Sequence, residues 1–273
     1  MCLKFQNFYL TIKKNSDNIN LMKRFMQSSF VSCYNKRNFY EFHSFMTYIF
    51  MALLAVCVGI LPFFIDSTKS ADELFEDSLL SIVEVKAFSD DIGESLGTAE
   101  FVGKDGILVT NAHVVTYTEL GESFAFDEIS IRFATDENFI EVELVKYDTL
   151  LDIAILKMDS SVHEFKAMEV GDSRAIKTGD KIYAIGNSAG YGLSMAEGVV
   201  GMPLVNIEYN DNTRSVIQAS VNITDGNSGG ALINDKGQLI GITSFRTRDL
   251  KGNVIYGISY SVPIGIVMEY VLN

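Results

Sequence analysis

An all-β fold is predicted for most of this 273-residue chain. From residue 80 onward, short runs rich in β-branched and aromatic residues alternate with turn clusters such as Lys104-Asp105-Gly106 and Asn234-Asp235-Lys236-Gly237. Amphipathic helical patterns do not occur between these runs, which argues against a parallel sheet with crossover helices. Many short strands joined by tight turns therefore indicate an antiparallel barrel or sandwich.

The individual elements follow from the same patterns. The predicted strands are 80–85, 98–102, 107–110, 128–133, 139–145, 152–157, 181–185, 197–201, 216–221, 231–233, 239–244 and 254–262. A short helix is expected from the capping residue Ser70 to Phe75, and a second, closing helix over Pro263–Leu272. The 48% hydrophobic content is ample for a core.

An apolar segment precedes this β-rich part. Phe45–Ile65 contains 21 residues without a charge, and as a helix it would span about 30 Å, the thickness of the hydrocarbon core. A secretory signal is the alternative, although its apolar region is shorter, about 7–15 residues. We predict a transmembrane helix or uncleaved signal anchor at 45–65, between a tail (1–44) and a linker (66–78); secretion after signal cleavage remains the other interpretation.

Charge divides the chain into two blocks. Residues 1–44 carry a net charge of +5 and residues 66–273 a net charge of −18, within a total of −13. The basic tail is expected on the cytoplasmic side, with residues 66–273 outside the cytoplasm as part of a single-pass membrane protein. An acidic domain would repel phosphate backbones, so nucleic acid is excluded as a partner.

The cysteines exclude two kinds of chemistry. Cys2, Cys33 and Cys57 all precede residue 66, so the β-rich part has no disulfide and no cysteine nucleophile. It also lacks a Cys/His cluster with the spacing of a zinc site. We therefore predict neither a metal nor a cofactor.

The stretch Thr224–Leu232, TDGNSGGAL, places Ser228 among glycines. A serine hydroxyl becomes a strong nucleophile when a base removes its proton and backbone donors face the oxyanion that forms on its target. Glycines allow the sharp turn through which the amides of Gly226 and Ser228 could converge on one point. The stretch is thus a candidate nucleophile loop with its own oxyanion hole.

Two upstream residues complete a candidate triad. His113 follows the apolar run 107–109, and Asp152 is the single charge in the apolar run 150–156. A buried carboxylate needs a partner, and the N–H of an imidazole is the partner that a triad provides. Histidine, aspartate and serine follow one another along the chain, each at a junction between strand and loop.

A competing hydrolase motif is excluded by the order of the residues. Gly186–Gly190 fits G-x-S-x-G, the nucleophile elbow of α/β-hydrolases, with Ser188 at its centre. In that fold the histidine follows the serine. All three histidines, at 43, 113 and 163, precede Ser188, so this triad cannot be completed.

The segments that carry these residues resemble a known family. GTAEFVGKDGILVTNAHVV (97–115), DIAILKM (152–158), VGDSRAIKTGDKIYAIGNSAGYG (170–192), GNSGGALINDKGQLIGITS (226–244) and YGISYSVP (256–263) are similar, in order, to segments of the HtrA (DegP/DegS-like) family of chymotrypsin-type serine proteases. The resemblance implies two antiparallel β-barrels, about 79–160 and 165–262, within a protease domain at 79–273. It also implies that His113 is the general base, Asp152 its orienting acid and Ser228 the nucleophile.

The resemblance further implies a serine endopeptidase that acts on unfolded or extended polypeptides in extracytoplasmic quality control, and a homotrimer as one assembly. Asn222, Ile223 and Thr224 are expected to line one wall of the primary pocket, and Ser244, Phe245 and Arg246 the other, which favours small to medium apolar side chains. The alternative function is a membrane-tethered chaperone-like or latent binding module.

Three departures from the family pattern limit which properties of the family the resemblance implies for this chain. Ala99 and Glu100 stand where the family usually has glycine and phenylalanine, and Asp225 occupies a position that is often basic or proline. The chain ends at Asn273, where the family usually continues into a PDZ domain. Peptide sensing by such a domain is therefore not carried over.

Overall fold

A computed structural model describes residues 69–209, 212–248 and 251–273, together with His43, 45–51 and Leu54. The chain divides into two units, 1–67 and 68–273, and each is considered by itself. Residues 45–51 and Leu54 are helical, but most of the predicted anchor 45–65 lies outside the described residues. Within the described part of the chain, no helix combines the length and the apolar character that a membrane span requires.

The described residues of the second unit form fifteen strands and three α-helices. In chain order they are α1 (Ala71–Ser78), β1 (Ile82–Ser89), β2 (Gly93–Phe101), β3 (Ile107–Thr110), α2 (Ala112–Val115), β4 (Thr116–Glu119), β5 (Glu122–Ala125), β6 (Glu128–Phe133), β7 (Ile140–Glu141), β8 (Glu143–Asp148), β9 (Ile153–Lys157), β10 (Lys181–Asn187), β11 (Leu193–Tyr209), β12 (Asn212–Ala219), β13 (Ala231–Asn234), β14 (Leu239–Arg248), β15 (Val254–Pro263) and α3 (Ile264–Leu272). The mostly β architecture and the short C-terminal helix agree with the sequence-based expectation.

The N-terminal half forms a seven-stranded antiparallel sheet in the order β7-β6-β1-β2-β3-β9-β8. Its two edge strands, β7 and β8, are separated in the chain by Val142 alone, so the sheet must roll up until its edges are adjacent. The predicted single strand 139–145 is therefore wrong: the chain leaves one edge at Glu141 and joins the other at Glu143. This rolled sheet is called the first barrel below.

The C-terminal half is a closed six-stranded barrel in the order β10-β11-β12-β15-β14-β13. Its strand β11 is much longer than the predicted 197–201, and β-bulges shift its register against β12 between Val200 and Met202 and again between Met202 and Val205. Bulges bend a strand and increase its twist, which lets one long strand follow the barrel wall. This closed barrel is called the second barrel below.

Three apolar clusters stabilise these bodies. The core of the first barrel combines aliphatic side chains with stacked rings: Phe101 stacks on Phe133 and Phe165, with ring centroids 5.8 and 4.4 Å apart. The core of the second barrel is aliphatic, with Ile182 and Ile217 fully buried. A third cluster joins side chains of both barrels with α1 and α3, and it forms the seam between the barrels.

Glu100 is an exception within this seam. It pairs with Ile82 on β1 and Val109 on β3, two members of the seam cluster, and side chains directly opposite one another lie on the same face of a sheet. Its side chain is fully buried, and neither carboxyl oxygen has a hydrogen-bond partner. Burial raises the pKa of the Glu100 carboxyl well above its usual value. The departure noted in the sequence thus places an ionisable group in an apolar layer.

A hairpin that the sequence patterns did not reveal follows α2. Strands β4 and β5 are joined by Leu120 and Gly121, which have φ of 52° and 88°. Two central residues with positive φ are the mark of a type I′ turn. Leucine is uncommon at such a position, so the usual Asn-Gly or Asp-Gly signal is missing here.

Candidate active site

His113 lies in α2, the single helical turn that follows β3. Its ring is half-exposed, and its Nδ1–H donates to Asp152 at 2.9 Å from Oδ1 and 3.0 Å from Oδ2. The backbone N–H of His113 also donates to Asp152 Oδ1, at 3.2 Å. Because Nδ1 faces the carboxylate, Nδ1 is the nitrogen that carries the proton in the neutral ring, and Nε2 is left as a hydrogen-bond acceptor.

Asp152 occupies the turn between β8 and β9 and is 3% exposed. Its φ of 59° is in the left-handed region, which costs a non-glycine residue about 1–2 kcal/mol. The turn is held by side chains: Asn111 Nδ2 donates to Asp152 O at 2.9 Å, and Asp148 Oδ1 accepts from the amides of Leu150 and Leu151. These bonds direct the carboxylate toward α2.

The Asp152 carboxylate is surrounded by donors. Ser244 Oγ, from β14 of the second barrel, donates to Oδ2 at 2.5 Å, and Arg214 Nη1 lies 3.8 Å from the same oxygen. Burial acts to raise the pKa of Asp152, but hydrogen bonds from His113 and Ser244 and the electrostatic interaction with His113 outweigh it and lower that pKa below its usual value. The acid therefore stays ionised next to the imidazole.

Ser228 follows the turn 225–227 and is partly buried. Its Oγ donates to Ser244 O at 3.1 Å, and its own carbonyl accepts from Thr98 N at 2.9 Å. Ser244 thus contacts Asp152 through its side chain and Ser228 through its carbonyl, so one residue joins the two. Among the described residues, Ser228 Oγ makes no hydrogen bond to His113.

The amides around Ser228 fall into two groups. Those of Asn227, Gly229 and Gly230 donate to Thr224 O, Thr243 O and Asn227 O at 3.1, 2.7 and 3.0 Å. In the described part of the chain, the amides of Gly226 and Ser228 have no acceptor. Two unsatisfied N–H groups beside a serine are the donors that an oxyanion hole requires.

The loop is oriented by bonds to its carbonyls. Asp225 O accepts from Ala189 N at 2.7 Å, and Gly226 O accepts from Thr98 Oγ1 at 2.8 Å. In a trans peptide the N–H points away from the preceding C=O, so the bond on Asp225 O turns the Gly226 N–H in the opposite direction. Ala189 lies in the 3₁₀ turn Ser188–Gly190, which explains the place of the second G-x-S-x-G motif beside the cleft.

Glycine is required at two positions of this loop. Gly226 and Gly229 have φ of 91° and 79°. A Cβ on Gly226 would overlap Asn187 O, and one on Gly229 would overlap Thr98 O and Thr110 Oγ1. The sequence argument that these glycines permit a sharp turn agrees with this geometry.

The expected pocket residues have different environments. Asn222 and Thr224 are exposed, whereas the Ile223 side chain packs in the core of the second barrel and leaves its backbone for the pocket. Ser244 is buried against Asp152, and Phe245 packs on Tyr260 with ring centroids 5.2 Å apart. The sequence patterns assigned Ser244 to a pocket wall and did not indicate its contact with the acid.

Arg246 spans the two expected walls. Its Nη2 donates to Asp225 Oδ1 at 2.5 Å, and its Nη1 donates to Ile223 O at 3.5 Å. The exposed Asp225 carboxylate is therefore paired. As for metals, the described residues contain no cluster of three or more His, Cys, Asp or Glu side chains that could hold an ion.

Comparisons with known proteins agree with the resemblance seen in the sequence. Residues 97–242 match the trypsin-like peptidase domain family. A probable periplasmic serine endoprotease DegP-like from Pseudomonas putida strain F1 is 33% identical over 176 residues, which cover 64% of this chain and 34% of that protein. Its counterpart from Halomonas elongata is 34% identical over 175 residues, with the same coverage. The chain thus spans about a third of the length of these relatives.

Solved structures give the same result. The HtrA-type protease AlgW with tripeptide superimposes with a TM-score of 0.63 at 29% identity, covering 75% of this chain and 63% of that one. AlgW with decapeptide gives 0.62 at 27% identity, covering 75% and 67%. The family match includes more than half of the residues, so the chain belongs to the trypsin-like peptidase domain family, among its HtrA-type, DegP-like members.

Proposed function

We propose that this protein is a serine endopeptidase in which Ser228 is the nucleophile, His113 the general base and Asp152 the acid that orients it. The observation that carries the proposal is the double contact of Ser244, whose Oγ binds Asp152 and whose carbonyl binds Ser228 Oγ. This contact supports the assignment of the three side chains to one site, next to two amides for which the described residues supply no acceptor.

The first half of the reaction begins when a peptide carbonyl enters the cleft. Ser228 Oγ leaves Ser244 O, approaches His113 Nε2 and attacks the carbonyl carbon while its proton passes to Nε2. Asp152 stabilises the imidazolium through Nδ1, and the amides of Gly226 and Ser228 hold the oxyanion, each contributing about 3–4 kcal/mol in comparable sites.

The second half releases the products. His113 donates its proton to the leaving amine, the C–N bond breaks and an acyl-enzyme remains on Ser228. Water then attacks the acyl carbon with His113 again as base, and Ser228 recovers its proton. Positioned groups in this chain perform every proton transfer, so the cycle requires no added cofactor.

Replacement of the nucleophile tests the assignment. Ser228→Ala is expected to lower cleavage of unfolded casein by about 10⁴-fold or more while the fold persists, because the substitution removes the attacking hydroxyl. Ser161→Ala, in an exposed turn where Ser161 Oγ donates to Asp159, is the matched control. Undiminished cleavage by Ser228→Ala would show that the nucleophile lies elsewhere.

One observation favours a second candidate, a latent or chaperone-like binding module. Ser228 Oγ binds the Ser244 carbonyl instead of the base, a geometry that lacks the nucleophile–base hydrogen bond. A fluorophosphonate probe separates the candidates, since it reacts with an activated serine without needing a peptide substrate. Strong labelling supports the peptidase; no labelling of folded protein supports the latent module.

We propose unfolded or extended polypeptides outside the cytoplasm as the substrates, with Phe45–Ile65 as the membrane anchor. The periplasmic relatives and the divided charge of the chain support this location. In spheroplasts, residues 66–273 should be accessible to an added protease. Protection from that protease would contradict the proposed topology.

A small to medium apolar side chain is proposed for the primary pocket. Arg246 donates hydrogen bonds to Ile223 O and Asp225 and so links the two expected walls, and we expect this bridge to disfavour bulky residues. Mass-spectrometric analysis of casein fragments would reveal the preferred residue. A dominant preference for Lys, Arg or Glu would contradict this pocket.

A further inference from the structure

Arg214 is a nearly buried cation that crosses from one barrel to the other. It lies on β12 of the second barrel, and its side chain is 10% exposed. Its Nη2 donates to Thr149 O at 2.8 Å, and its Nη1 lies 3.8 Å from Asp152 Oδ2, so both contacts are on the turn of the first barrel that carries the acid. The proposed mechanism makes no use of it.

We propose that Arg214 is a positioning residue for the reaction, which holds the turn 149–152 from the opposite barrel so that the Asp152 carboxylate stays aligned with His113. The inference rests on the proposed function, since it concerns the acid of that triad. The contacts on which the inference rests, with Thr149 O and Asp152 Oδ2, are both with this turn.

The turn 149–152 depends on contacts such as those of Arg214, because hydrophobic packing contributes little to holding it in place. Leu150 and Leu151 are 56% and 37% exposed, so their side chains do not anchor the segment. Asp152 meanwhile has a positive φ, a conformation that persists when surrounding contacts impose it. The restraints that remain are polar, and Arg214 supplies the one on Thr149 O.

The restraints come from both barrels. Asp148 and Asn111 hold the turn from within the first barrel, whereas Ser244 and Arg214 reach it from the second. The second barrel also carries Ser228. A contact between the turn and β12 therefore ties the position of the acid to the body that carries the nucleophile.

Charge adds to this geometry. The groups that face the Asp152 carboxylate are the imidazole and amide of His113 from α2, the hydroxyl of Ser244 from β14 and the guanidinium of Arg214 from β12. At 3.8 Å, Arg214 acts on Oδ2 through its charge and not through a hydrogen bond. A fixed cation on one side of the carboxylate opposes its rotation away from His113.

Arginine suits this position better than lysine. The planar guanidinium places one nitrogen on Thr149 O while another faces Asp152. An ammonium group is a single point charge, so Arg214→Lys retains the cation and loses one of the two contacts. The two substitutions Arg214→Gln and Arg214→Lys thus separate the loss of charge from the loss of the two-armed geometry.

The full chain with each substitution is assayed by the rate of fluorophosphonate labelling and by kcat and KM for labelled casein. Arg214→Gln should lower kcat and the labelling rate by about 10- to 100-fold, while KM stays within about twofold, because substrate binding does not involve the acid. The kcat and labelling rate of Arg214→Lys should lie between those of Arg214→Gln and those of the wild type. Arg174→Gln removes an exposed arginine that pairs with Asp172 and should match the wild type.

A role in stability alone predicts a different pattern. In that case Arg214→Gln lowers the melting temperature, but kcat and labelling per folded molecule equal those of the wild type, and this result overturns the proposal. If Arg214→Gln does not fold, the test is made with Arg214→Lys alone. A kcat of Arg214→Lys equal to that of the wild type then overturns the proposal.

A spectroscopic measurement keeps the test independent of catalysis. In the Ser228→Ala background, the proton on His113 Nδ1 should give a downfield proton NMR signal from its hydrogen bond to Asp152. Adding Arg214→Gln should shift or broaden this signal, and an unchanged signal overturns the inference. Absence of cleavage and labelling in the wild type would instead contradict the proposed function.

Discussion

The proposed acid–base pair, His113 and Asp152, and the proposed nucleophile loop around Ser228 lie on different barrels and are built in different ways. His113 and Asp152 follow β3 and precede β9, two strands that pair with each other, so their contact forms within the first barrel. Ser228 lies on a loop of the second barrel and reaches the pair through Ser244. The pair therefore depends on one sheet, whereas the complete site depends on the seam between the barrels.

The two barrels also contribute different chemical groups. The first supplies side chains, an imidazole and a carboxylate. The second supplies mainly backbone amides, oriented by glycines with positive φ and by bonds to the carbonyls of Asp225 and Gly226. Apart from Ser228 itself, we expect side-chain substitutions to be most damaging in the first barrel, and backbone changes to be most damaging in the loop of the second.

Among the substitutions outside the proposed triad, Gly226→Ala is expected to have the largest effect, and it should disrupt the Ser228 loop without changing the contact between His113 and Asp152. The new Cβ would overlap Asn187 O, so the turn must rebuild and its amide leaves the oxyanion position. We expect kcat to fall by about 10²–10³-fold. The control Gly93→Ala has a similar φ of 97° but open space around the new Cβ. A normal kcat in Gly226→Ala would show that this amide does not bind the oxyanion.

A substitution of Glu100 tests the stability of the seam between the two barrels. Glu100→Met should raise the free energy of unfolding at pH 8 by about 1–4 kcal/mol, because an unpaired carboxyl leaves the apolar layer. The nearby Glu84 is also buried, but its carboxylate is paired with Arg132, so we do not expect it to form a hydrogen bond with Glu100. Chemical denaturation of the wild type and the variant measures the difference, and a less stable Glu100→Met would contradict the prediction.

The same position makes a prediction about pH. Folding raises the pKa of Glu100, so the contribution of this carboxyl to the free energy of unfolding is fully present below its pKa in the unfolded chain, about 4.3. That contribution is lost as the pH rises through the pKa of Glu100 in the folded protein. Glu100→Gln should remove this decline in stability over that range. An identical slope in the wild type and the variant would indicate that Glu100 does not titrate in the fold.

Ser244→Ala removes the contact that joins the two sides. Loss of the hydrogen bond to Asp152 Oδ2 should lower kcat by about tenfold and leave Ser228 labelling detectable.

Because the pKa of Asp152 is lowered in the folded protein, its ionised form stabilises the fold above the pKa that Asp152 has in the unfolded chain. This stabilisation is lost as the pH falls through the pKa of Asp152 in the folded protein. In Ser244→Ala that loss should begin at a higher pH, which denaturation between pH 3 and 7 would reveal.

Arg246→Ala should have the smallest effect on stability and sharpen the description of the pocket. Asp225 is 91% exposed, so its ion pair with Arg246 contributes at most about 1 kcal/mol. Removal of the bridge should extend cleavage of casein toward sites with larger apolar residues. A cleavage profile identical to the wild type would exclude a role for the bridge in selecting substrates.

The sequence predicted most of the fold and the candidate catalytic residues because their signals are local. Strand-like runs, turn clusters and the glycines around Ser228 each lie within a few residues of one another. The β4–β5 hairpin was missed because its turn, Leu120-Gly121, lacks the usual composition. The division of 139–145 into β7 and β8 was also missed, since it depends on how the sheet rolls up.

Contacts between distant residues were beyond local patterns. Ser244 and Asp152 are 92 residues apart in the chain, and Arg214 and Thr149 are 65 apart. The pairing of Asp225 with Arg246 and the burial of the Ile223 side chain likewise depend on how the second barrel closes. No spacing or composition distinguishes these residues from ordinary strand residues.

The amino-acid sequence by itself determined the strand-rich architecture, the order of His113, Asp152 and Ser228, and the glycines that allow the Ser228 loop to turn, because these depend on neighbours along the chain. The tertiary structure alone decided which amides have no acceptor among the described residues, that Ser244 contacts both Asp152 and Ser228, and that Arg214 reaches Asp152 from the other barrel. The physical reason is that hydrogen bonds and charges act over a few ångströms in space, and only barrel closure and packing at the seam bring these distant residues within that range.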